Sequence, residues 1–552
     1  MTTLAARRAG PKEWAGMAIL ALPTVLLGLD VTVLYLALPS LAADLNPSST
    51  QALWIMDAYG FLIAGFLITM GTLGDRIGRR RLLMAGAAAF GLASVLAAYS
   101  TSAEMLIAAR MALGVAGATL MPSTLALISN MFADARQRAL AIGIWATMFA
   151  LGMAAGPLVG GVLLERFWWG AGFLVAIPVV GLVLLAAPVL LPEYRAPQSG
   201  RFDLISVALS LAAILPVIYA VKHAAKAGLD LAGALILAAG IAFAVMFVQR
   251  QRRLVSPLLD MGLFASRAFS AALSILLIGL VGVGGAMFLV TQQLQLVEGL
   301  SPLAAGAWMG APALMMFVAA IAAPLVARRI RPGYVMAATL ALSTVGYLLL
   351  ARVDSSNDFG LAQVVIGFAL VYLGLGVIAA LGTDLVIGAV PPAKTGSASA
   401  MSETVQELGV AVGIATLGSL ATSVYRSRIG YHIPDDLPAG VANAVGDSLS
   451  GAASVAHRVP DDLLRQATEA FTSGLNTAAM VAGVGTLGLA VLSAAMLRHI
   501  GTIGSDGNEE TGRTDCAQRN AAKPGSVGDG MASSVEHPRG DCYAAGERDC
   551  LR

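Results

Sequence analysis

Long apolar stretches separated by short polar connections dominate the sequence from about residue 15 to residue 497. Fourteen of these stretches, from 15–38 to 474–497, predict helices. Each is roughly 18 to 25 residues long, enough for a helix to cross about 30 Å of hydrocarbon. The pattern therefore predicts an all-α polytopic membrane protein with 14 transmembrane helices. A composition of 57% hydrophobic and 12% charged residues excludes a water-soluble globule.

The basic residues of the short connections are distributed unequally between the two sides of the membrane. Twenty Lys and Arg residues lie on the side of the N-terminus, and four lie on the other side, namely Arg166, Lys222, Lys226 and Arg352. Basic residues near the ends of spans are retained in the cytoplasm. We therefore expect both termini to be cytoplasmic.

The order of spans predicts two six-helix halves around an inserted hairpin. We assign 1–195 to an N-terminal six-helix bundle, 196–250 to a two-helix insertion hairpin and 251–500 to a C-terminal six-helix bundle. Similar arginine-rich loops follow the second span of each half, as expected for parallel repeats. The alternative is that any short inner loop collects arginines.

Two segments outside the spans have distinct patterns. The extracellular loop 426–470 contains two stretches with apolar residues at helical spacing, which predict two short amphipathic helices or, alternatively, a solvated loop. The polar, Gly-rich segment 501–552 predicts a disordered cytoplasmic tail. All three cysteines lie in that tail, so no disulfide framework and no cysteine metal site is expected in the membrane body.

Carboxyl groups interrupt several apolar stretches, at Asp30, Asp57, Asp384, Glu403 and Glu407. An acid in a bilayer is tolerated where it faces a cavity or a partner, so these residues are candidates for proton and cation coupling. Glu403 and Glu407 are four residues apart and share a helix face. We expect that pair to hold at least one proton near neutral pH, because desolvation and mutual repulsion both favour the neutral acid.

Three further features predict gating elements. Asp75, Arg76 and Arg79 lie in the glycine-containing segment that ends the second span, where a charge relay can latch one face shut, although a simple basic anchor is the alternative. Arg110 lies several residues inside the fourth span and is expected to be paired, or else to reach the outer surface. Gly156 and Pro157 predict a bend in the fifth span at the interface between the halves.

These motifs resemble the fourteen-span drug:proton antiporter family of the major facilitator superfamily, in particular the quaternary ammonium exporters of the QacA kind. The resemblance covers roughly residues 13–500. It rests on six segments: Asp30 to Pro39, Trp54 to Tyr59, Gly71 to Arg81, Arg110 to Pro122, Gly152 to Gly161 and Leu300 to Pro302. It implies the superfamily fold of two six-helix bundles plus a hairpin, in a bacterial cytoplasmic (inner) membrane. It also implies that Asp30, Asp57, Glu403 and Glu407 handle protons or cations, and that Arg110 belongs to the coupling or gating machinery.

The sequence departs from that family in ways that bear on cargo. Met315 stands where such exporters carry an acid that helps them accept dications, and Ser402 replaces the first acid of an adjacent pair. Asp384 is an additional acid that can restore a lost charge. The departures predict weaker transport of divalent than of monovalent cations.

Aromatic rings can complete a pocket for lipophilic cations, since a ring face attracts a cation. The substrate-pocket candidates are Trp54, Tyr59, Trp308 and Phe317, together with Met315. Packing or interfacial anchoring is the alternative for each ring.

The leading hypothesis is a proton-coupled antiporter that exports lipophilic, mainly monovalent cationic drugs, dyes and antiseptics. The chain has no Walker, HExxH or Gly-x-Ser-x-Gly sequence, so we expect no enzyme activity, no metal, no cofactor beyond the proton gradient and no nucleic-acid partner. A monomer is expected by resemblance. The alternatives are an exporter of an endogenous metabolite or lipid, and a non-transporting membrane sensor on the same scaffold.

Overall fold

The computed structural model describes most of the chain outside its two ends. The described residues are 9–132, 134–195, 203–228, 230–254, 257, 261–354, 359–390, 395–434, 437–498 and 501. The chain divides into two units, Met1–Ile503 and Gly504–Arg552. The predicted tail 501–552 lies outside the described residues except for residue 501. All described helices belong to the first unit.

Fourteen membrane-crossing helices are found in the described part of the chain, which confirms the number predicted from the apolar pattern. The first six are α1 Pro11–Leu45, α2 Ser49–Ile77, α3 Arg79–Ala98, α4 Ala103–Met131, α5 Ala135–Arg166 and α6 Ala171–Leu190. The inserted hairpin consists of α7 Leu204–Ala227 and α8 Leu231–Arg253. The last six are α9 Arg267–Val297, α10 Pro302–Ala327, α11 Pro332–Leu350, α12 Gly360–Gly388, α13 Thr395–Ile429 and α14 Asp461–Met496.

Short polar residues fix where many of these helices begin. Half of the spans start after a Ser or Asp whose side chain accepts the backbone N–H three residues later, namely Ser48, Ser102, Asp134, Asp203, Asp230, Ser266 and Ser301. Such a cap satisfies a backbone donor that the helix itself leaves unpaired. The polar residues between apolar runs therefore end one span and start the next.

The two bundles meet along two seams. α2 packs against α13 in one seam, and α5 packs against α10 in the other. The second seam is tight, because a Cβ added at Gly306 of α10 would lie 2.1 Å from the backbone oxygen of Pro157 in α5. Gly156 is equally close to α1, where an added Cβ would lie 1.7 Å from Oγ1 of Thr32. Gly156 and Pro157 therefore lie where α5 contacts α1 and α10, and the bend predicted there stays a prediction.

The hairpin lies against the first seam. α7 packs on both α2 and α13, and α8 packs on α7. Leu211 and Ile218 of α7 contact an apolar cluster that includes Phe61 of α2 and Ala411 of α13. The hairpin is therefore attached to both bundles through one of its two helices.

The connection before α14 differs from the prediction. One expected helix is present as two shorter helices, Ala439–Asp447 and Leu449–Ser454, which we call the loop helices. The prediction of a second short helix is wrong, because that stretch forms the first turns of α14. This helix starts at Asp461 and continues unbroken to Met496. Asp461 and Asp462 favour a helix start there, since acidic side chains stabilise the first turn, and no Gly or Pro then ends the helix before the span.

Candidate functional site

Asp30 of α1 and Arg110 of α4 form a buried ion pair. The Arg110 Nη1 donates to Asp30 Oδ2 at 2.9 Å, and the two side chains are 2% and 9% exposed for Arg110 and Asp30. Arg110 Nε also donates to the backbone oxygen of Ile55 at 3.1 Å, and the guanidinium lies 4.4 Å from the centroid of the Tyr59 ring. The structure therefore places Arg110 in the bundle interior and does not show it reaching the outer surface.

Asp57 of α2 is paired with Lys222 of the hairpin helix α7. Lys222 Nζ lies 3.0 Å from Asp57 Oδ1 and 2.8 Å from Oδ2, and both side chains are at most 1% exposed. The same ammonium lies 3.8 Å from the centroid of the Trp54 ring. The charge count placed Lys222 in an outer connection, and the structure corrects this, because α7 continues past residue 221 and brings the lysine into the interior.

The two glutamates of α13 differ from these aspartates. Glu403 and Glu407 are partly buried, and among the described residues no ion pair and no side-chain hydrogen bond joins either of them to a basic group. Glu407 lies against α2, since a Cβ added at Gly60 would be 4.0 Å from Glu407 Oε2. It is also within electrostatic reach of Asp30 and Arg110. The α2–α13 seam thus brings a carboxylate of the second bundle beside the ion pair of the first.

Buried tyrosines surround this group of charges. Tyr35 of α1 is fully enclosed and lies within electrostatic reach of Arg110, Glu407 and Asp57. Tyr59 is within electrostatic reach of Asp30, Arg110 and Glu407, and its hydroxyl is buried without a hydrogen-bond partner in the described structure. We call Asp30, Tyr35, Tyr59, Arg110 and Glu407 the central cluster. The cluster joins one carboxylate of the second bundle to an acid, a base and two phenols of the first.

Asp384 lies at the same level of the membrane as the start of the glutamate pair but in a different setting. The neighbouring Thr383 Oγ1 lies 3.4 Å from Ser402 Oγ, which joins α12 to α13 at that level. Asp384 follows a π-helical turn, Ile378–Gly382, and its side chain is exposed on the protein surface. The structure thus brings the helices that carry Asp384 and Glu403 together at this level.

The glycine-containing segment after α2 is held by a residue that the sequence analysis did not single out. Gly78 has φ +113°, a conformation that favours glycine, and the Glu193 carboxylate lies against it. Glu193 accepts the backbone N–H of Arg80 at 3.2 Å and lies 3.7 Å from its side chain. Its position just after the sixth apolar run, with no basic residue beside it in sequence, gave no signal of this contact.

The predicted latch residues occupy three different settings. Arg79 is buried and donates to the backbone oxygen of Pro122 at 3.3 Å, which joins the segment to α4. Arg76 is exposed. The side chain of Asp75 lies outside the described residues, so its predicted role in a latch remains a prediction.

The comparisons with known proteins agree with this architecture. The chain matches the family model described as Major Facilitator Superfamily over residues 20–414. This chain belongs to the Major Facilitator Superfamily. A protein called multidrug efflux pump LfrA, from Mycolicibacterium smegmatis, is 43% identical to this superfamily member over 500 residues, which span 89% of this chain and 98% of the relative.

Two further similarities extend the comparison of this superfamily member. The methyl viologen resistance protein SmvA from Salmonella typhimurium is 34% identical over 491 residues, covering 87% of this chain and 97% of the relative. A crystal structure of a bacterial homologue of the human lysosomal transporter Spinster, inward-facing and occupied, has a TM-score of 0.60 at 16% identity. That likeness covers 89% of this chain and 98% of the other. It shows a shared fold, and the family model together with the relatives identifies the chain as a multi-pass membrane transporter.

The aromatic candidates of this superfamily member divide into two groups. Trp54 and Tyr59 contact the cations of the two ion pairs. Trp308 is 46% exposed, and Met315 and Phe317 are half-buried on α10. Among the described residues, no ring contact, ion pair or hydrogen bond joins these three to the acids, so the structure does not bring them to the central cluster.

Proposed function

We propose that this transporter is a proton-coupled antiporter that exports lipophilic, mainly monovalent cationic drugs, dyes and antiseptics across the bacterial cytoplasmic membrane, with both termini in the cytoplasm. The proposal rests on Glu407, which lies at the interface between the bundles, and on Glu403 one turn before it on α13. Neither glutamate has a basic partner among the described residues. The relative named multidrug efflux pump supports efflux as the direction of transport.

Competition for the glutamates supplies the coupling. A cation that loads from the cytoplasm displaces a proton from the pair, and reprotonation from outside expels the cation. One pH unit across the membrane is worth about 1.4 kcal/mol per proton, and 100 mV adds about 2.3 kcal/mol for each net charge moved. Exchange of one proton for one monovalent cation uses the pH gradient alone, so accumulation against a larger gradient needs more than one proton per cycle.

The charge balance of the site favours monovalent cargo. Asp30 and Asp57 are neutralised by Arg110 and Lys222. Two carboxylates as close as Glu403 and Glu407 repel one another, so we expect one of them to keep its proton. The site then offers a single negative charge, which one positive charge satisfies.

Substrate-induced proton release from purified protein tests the function. We expect ethidium and tetraphenylphosphonium to release protons from the wild-type protein, and methyl viologen, a dication, to release fewer. Proteoliposomes with an imposed pH gradient should expel the monovalent dyes. A protein that releases no protons with any cation of the panel, and expels no dye, would contradict the proposal, and equal release by the dication would contradict its monovalent preference.

A further inference from the structure

The surroundings of the Lys222 ammonium resemble a binding site for an organic cation. The two Asp57 oxygens lie 2.8 and 3.0 Å from Nζ on one side, and the Trp54 ring lies 3.8 Å away at its centroid. A carboxylate together with the face of an aromatic ring is an arrangement that recognises ammonium groups, and tryptophan is the most effective ring. The side chains of the pair are at most 1% exposed, so water does not compete there.

Attachment of the hairpin does not require this ion pair. Leu211, Ile214 and Ile218 of α7 pack into the apolar cluster on α2 and α13. Leu211 fits closely against Gly65, where an added Cβ would lie 2.5 Å from the Leu211 methyl group. A buried ion pair is a weak stabiliser compared with apolar packing of the same volume, because both charges lose their hydration. Helix packing alone therefore does not explain a lysine at this position.

We propose that Asp57 and Trp54 form a binding site for an alkylammonium group, and that the inserted hairpin fills this site with its own Lys222. The lysine is a tethered ligand, with a flexible four-carbon stem that carries a compact charge to the carboxylate. As long as Lys222 is in place, Asp57 cannot pair with a cation from outside the chain. The hairpin thereby removes one negative charge from those that cargo can reach.

Lys222 is then a specificity-determining residue, an interpretation that rests on the proposed function. Cargo is left with the negative charge of the Glu403–Glu407 pair, which suits one positive charge. Removal of the lysine charge restores a second carboxylate, at Asp57 on α2. A molecule with two positive charges gains from this change and a molecule with one gains less.

Chemical rescue tests the ligand chemistry of the site without reference to transport. Lys222→Ala removes the three outer methylene groups and the ammonium, and n-propylammonium has the same atoms. We expect n-propylammonium to raise the thermal unfolding temperature of purified Lys222→Ala in a saturable way. The wild-type protein, whose site is filled, and the double variant Asp57→Asn/Lys222→Ala should show no saturable rise, and n-propanol, which lacks the charge, should have no effect on any of them. An equal response of Lys222→Ala and the double variant would overturn the proposal.

A second variant covers the case in which Lys222→Ala does not fold. Lys222→Met keeps the apolar stem and removes the charge. For this variant we expect the affinity for methyl viologen, relative to that for tetraphenylphosphonium, to rise about tenfold over the wild-type ratio, which corresponds to about 1.4 kcal/mol. Lys222→Arg should keep the wild-type ratio, since it keeps the charge. An unchanged ratio in Lys222→Met would contradict the assignment.

The two proposals fail in different ways. Propylammonium rescue without any cation-induced proton release would leave the Asp57–Trp54 site standing and remove the antiport function. Suppose instead that the wild-type protein releases protons, but propylammonium does not rescue Lys222→Ala and the cation affinity ratio of Lys222→Met is unchanged. The antiport function would then stand and the Asp57–Trp54 site would be removed.

Discussion

The carboxylates of the first bundle and those of the second bundle occupy opposite electrostatic settings. Asp30 and Asp57, on α1 and α2, each contact a buried basic side chain. Glu403 and Glu407, on α13, have no basic partner among the described residues, although Glu407 lies beside α2. Four acids that look alike in the sequence thus divide into two that pair with a basic side chain and two that have no basic partner among the described residues.

The difference indicates how one interface combines rigidity with exchange. A paired carboxylate keeps its charge and fixes the position of its partner, whereas a buried carboxylate without a basic partner is more stable with its proton and gains a counter-ion only when a cation binds. The proton-coupled antiport proposed above uses both kinds, because its cargo site changes charge while the surrounding helices keep their arrangement. Substitutions of the paired and the unpaired carboxylates should therefore differ in their effects on transport and stability.

Removal of an exchangeable proton should have the largest effect on transport. We expect Glu407→Gln to lower the rate of dye efflux in proteoliposomes about 100-fold or more, the scale on which the loss of an essential proton-transferring group lowers turnover. Its thermal unfolding temperature should stay close to the wild-type value, because no basic partner among the described residues is left unpaired. Glu469→Gln, an exposed pair partner of Arg465 on α14, is the matched control and should transport normally. Normal efflux by Glu407→Gln would place the exchange elsewhere.

Removal of one partner of a buried pair should affect stability as well as transport. Asp30→Asn leaves the Arg110 charge without its counter-ion in the interior, and the loss of one partner of a buried pair destabilises proteins by about 3 to 5 kcal/mol. We expect a lower unfolding temperature, measured in detergent, in contrast to Glu407→Gln. The double variant Asp30→Asn/Arg110→Gln should recover most of that loss without recovering efflux. Equal unfolding temperatures for Asp30→Asn and Glu407→Gln would remove the distinction between the two bundles.

The seam between α5 and α10 should tolerate no added side-chain volume at Gly306, which lies against the backbone of α5. Gly306→Ala places a Cβ against the Pro157 backbone oxygen, and overpacking of this kind destabilises by about 1 to 3 kcal/mol. We expect slower efflux and a lower unfolding temperature. Gly310→Ala, one turn further along α10, is the control, since an added Cβ there meets nothing within 4 Å. A similar response of both variants would mean that helix propensity, and not the seam, decides the outcome.

Loss of the contacts that Asp447 makes between the loop helices and α2 should have the smallest effect on transport. Asp447 accepts the Ser49 backbone N–H at 2.5 Å and forms an ion pair with Arg426, and its side chain is about one-fifth exposed. Partly exposed pairs of this kind contribute about 1 kcal/mol or less. We expect Asp447→Asn to speed hydrogen exchange of the loop-helix backbone with little change in efflux. Asp462→Asn removes a fully solvated pair with Arg465 and should leave that exchange rate unchanged.

The sequence predicted the helices and the acids but not the partners of the acids. Apolar length identified all fourteen spans, because the bilayer imposes one requirement on every span. Lys222 was assigned to a connection because residues 204–221 are already long enough to cross the membrane. Its partner Asp57 is 165 residues away, and no local pattern records a contact of that kind.

Other differences have similar causes. The first turns of α14 were assigned to a separate short helix because their polar face looks like the end of a membrane span, whereas the backbone there has no reason to stop. Tyr35 was not singled out, and its place in the central cluster depends on charged groups that α2, α4 and α13 bring close to α1. Glu193 was not singled out, since its contact with Gly78 depends on two loops meeting.

The attachment of α7 to both α2 and α13 has a mechanical consequence. If the two bundles rotate against one another during a transport cycle, α7 can move rigidly with one of them and must slide along the other. Besides the apolar packing that α7 shares with both helices, the Lys222–Asp57 pair gives it a polar contact with α2. The sliding contact would then lie on α13, where Ala411 and Ala415 present short side chains to the hairpin. In such a cycle the inserted hairpin would cover the interface between the two bundles and keep lipid out of it while the bundles move.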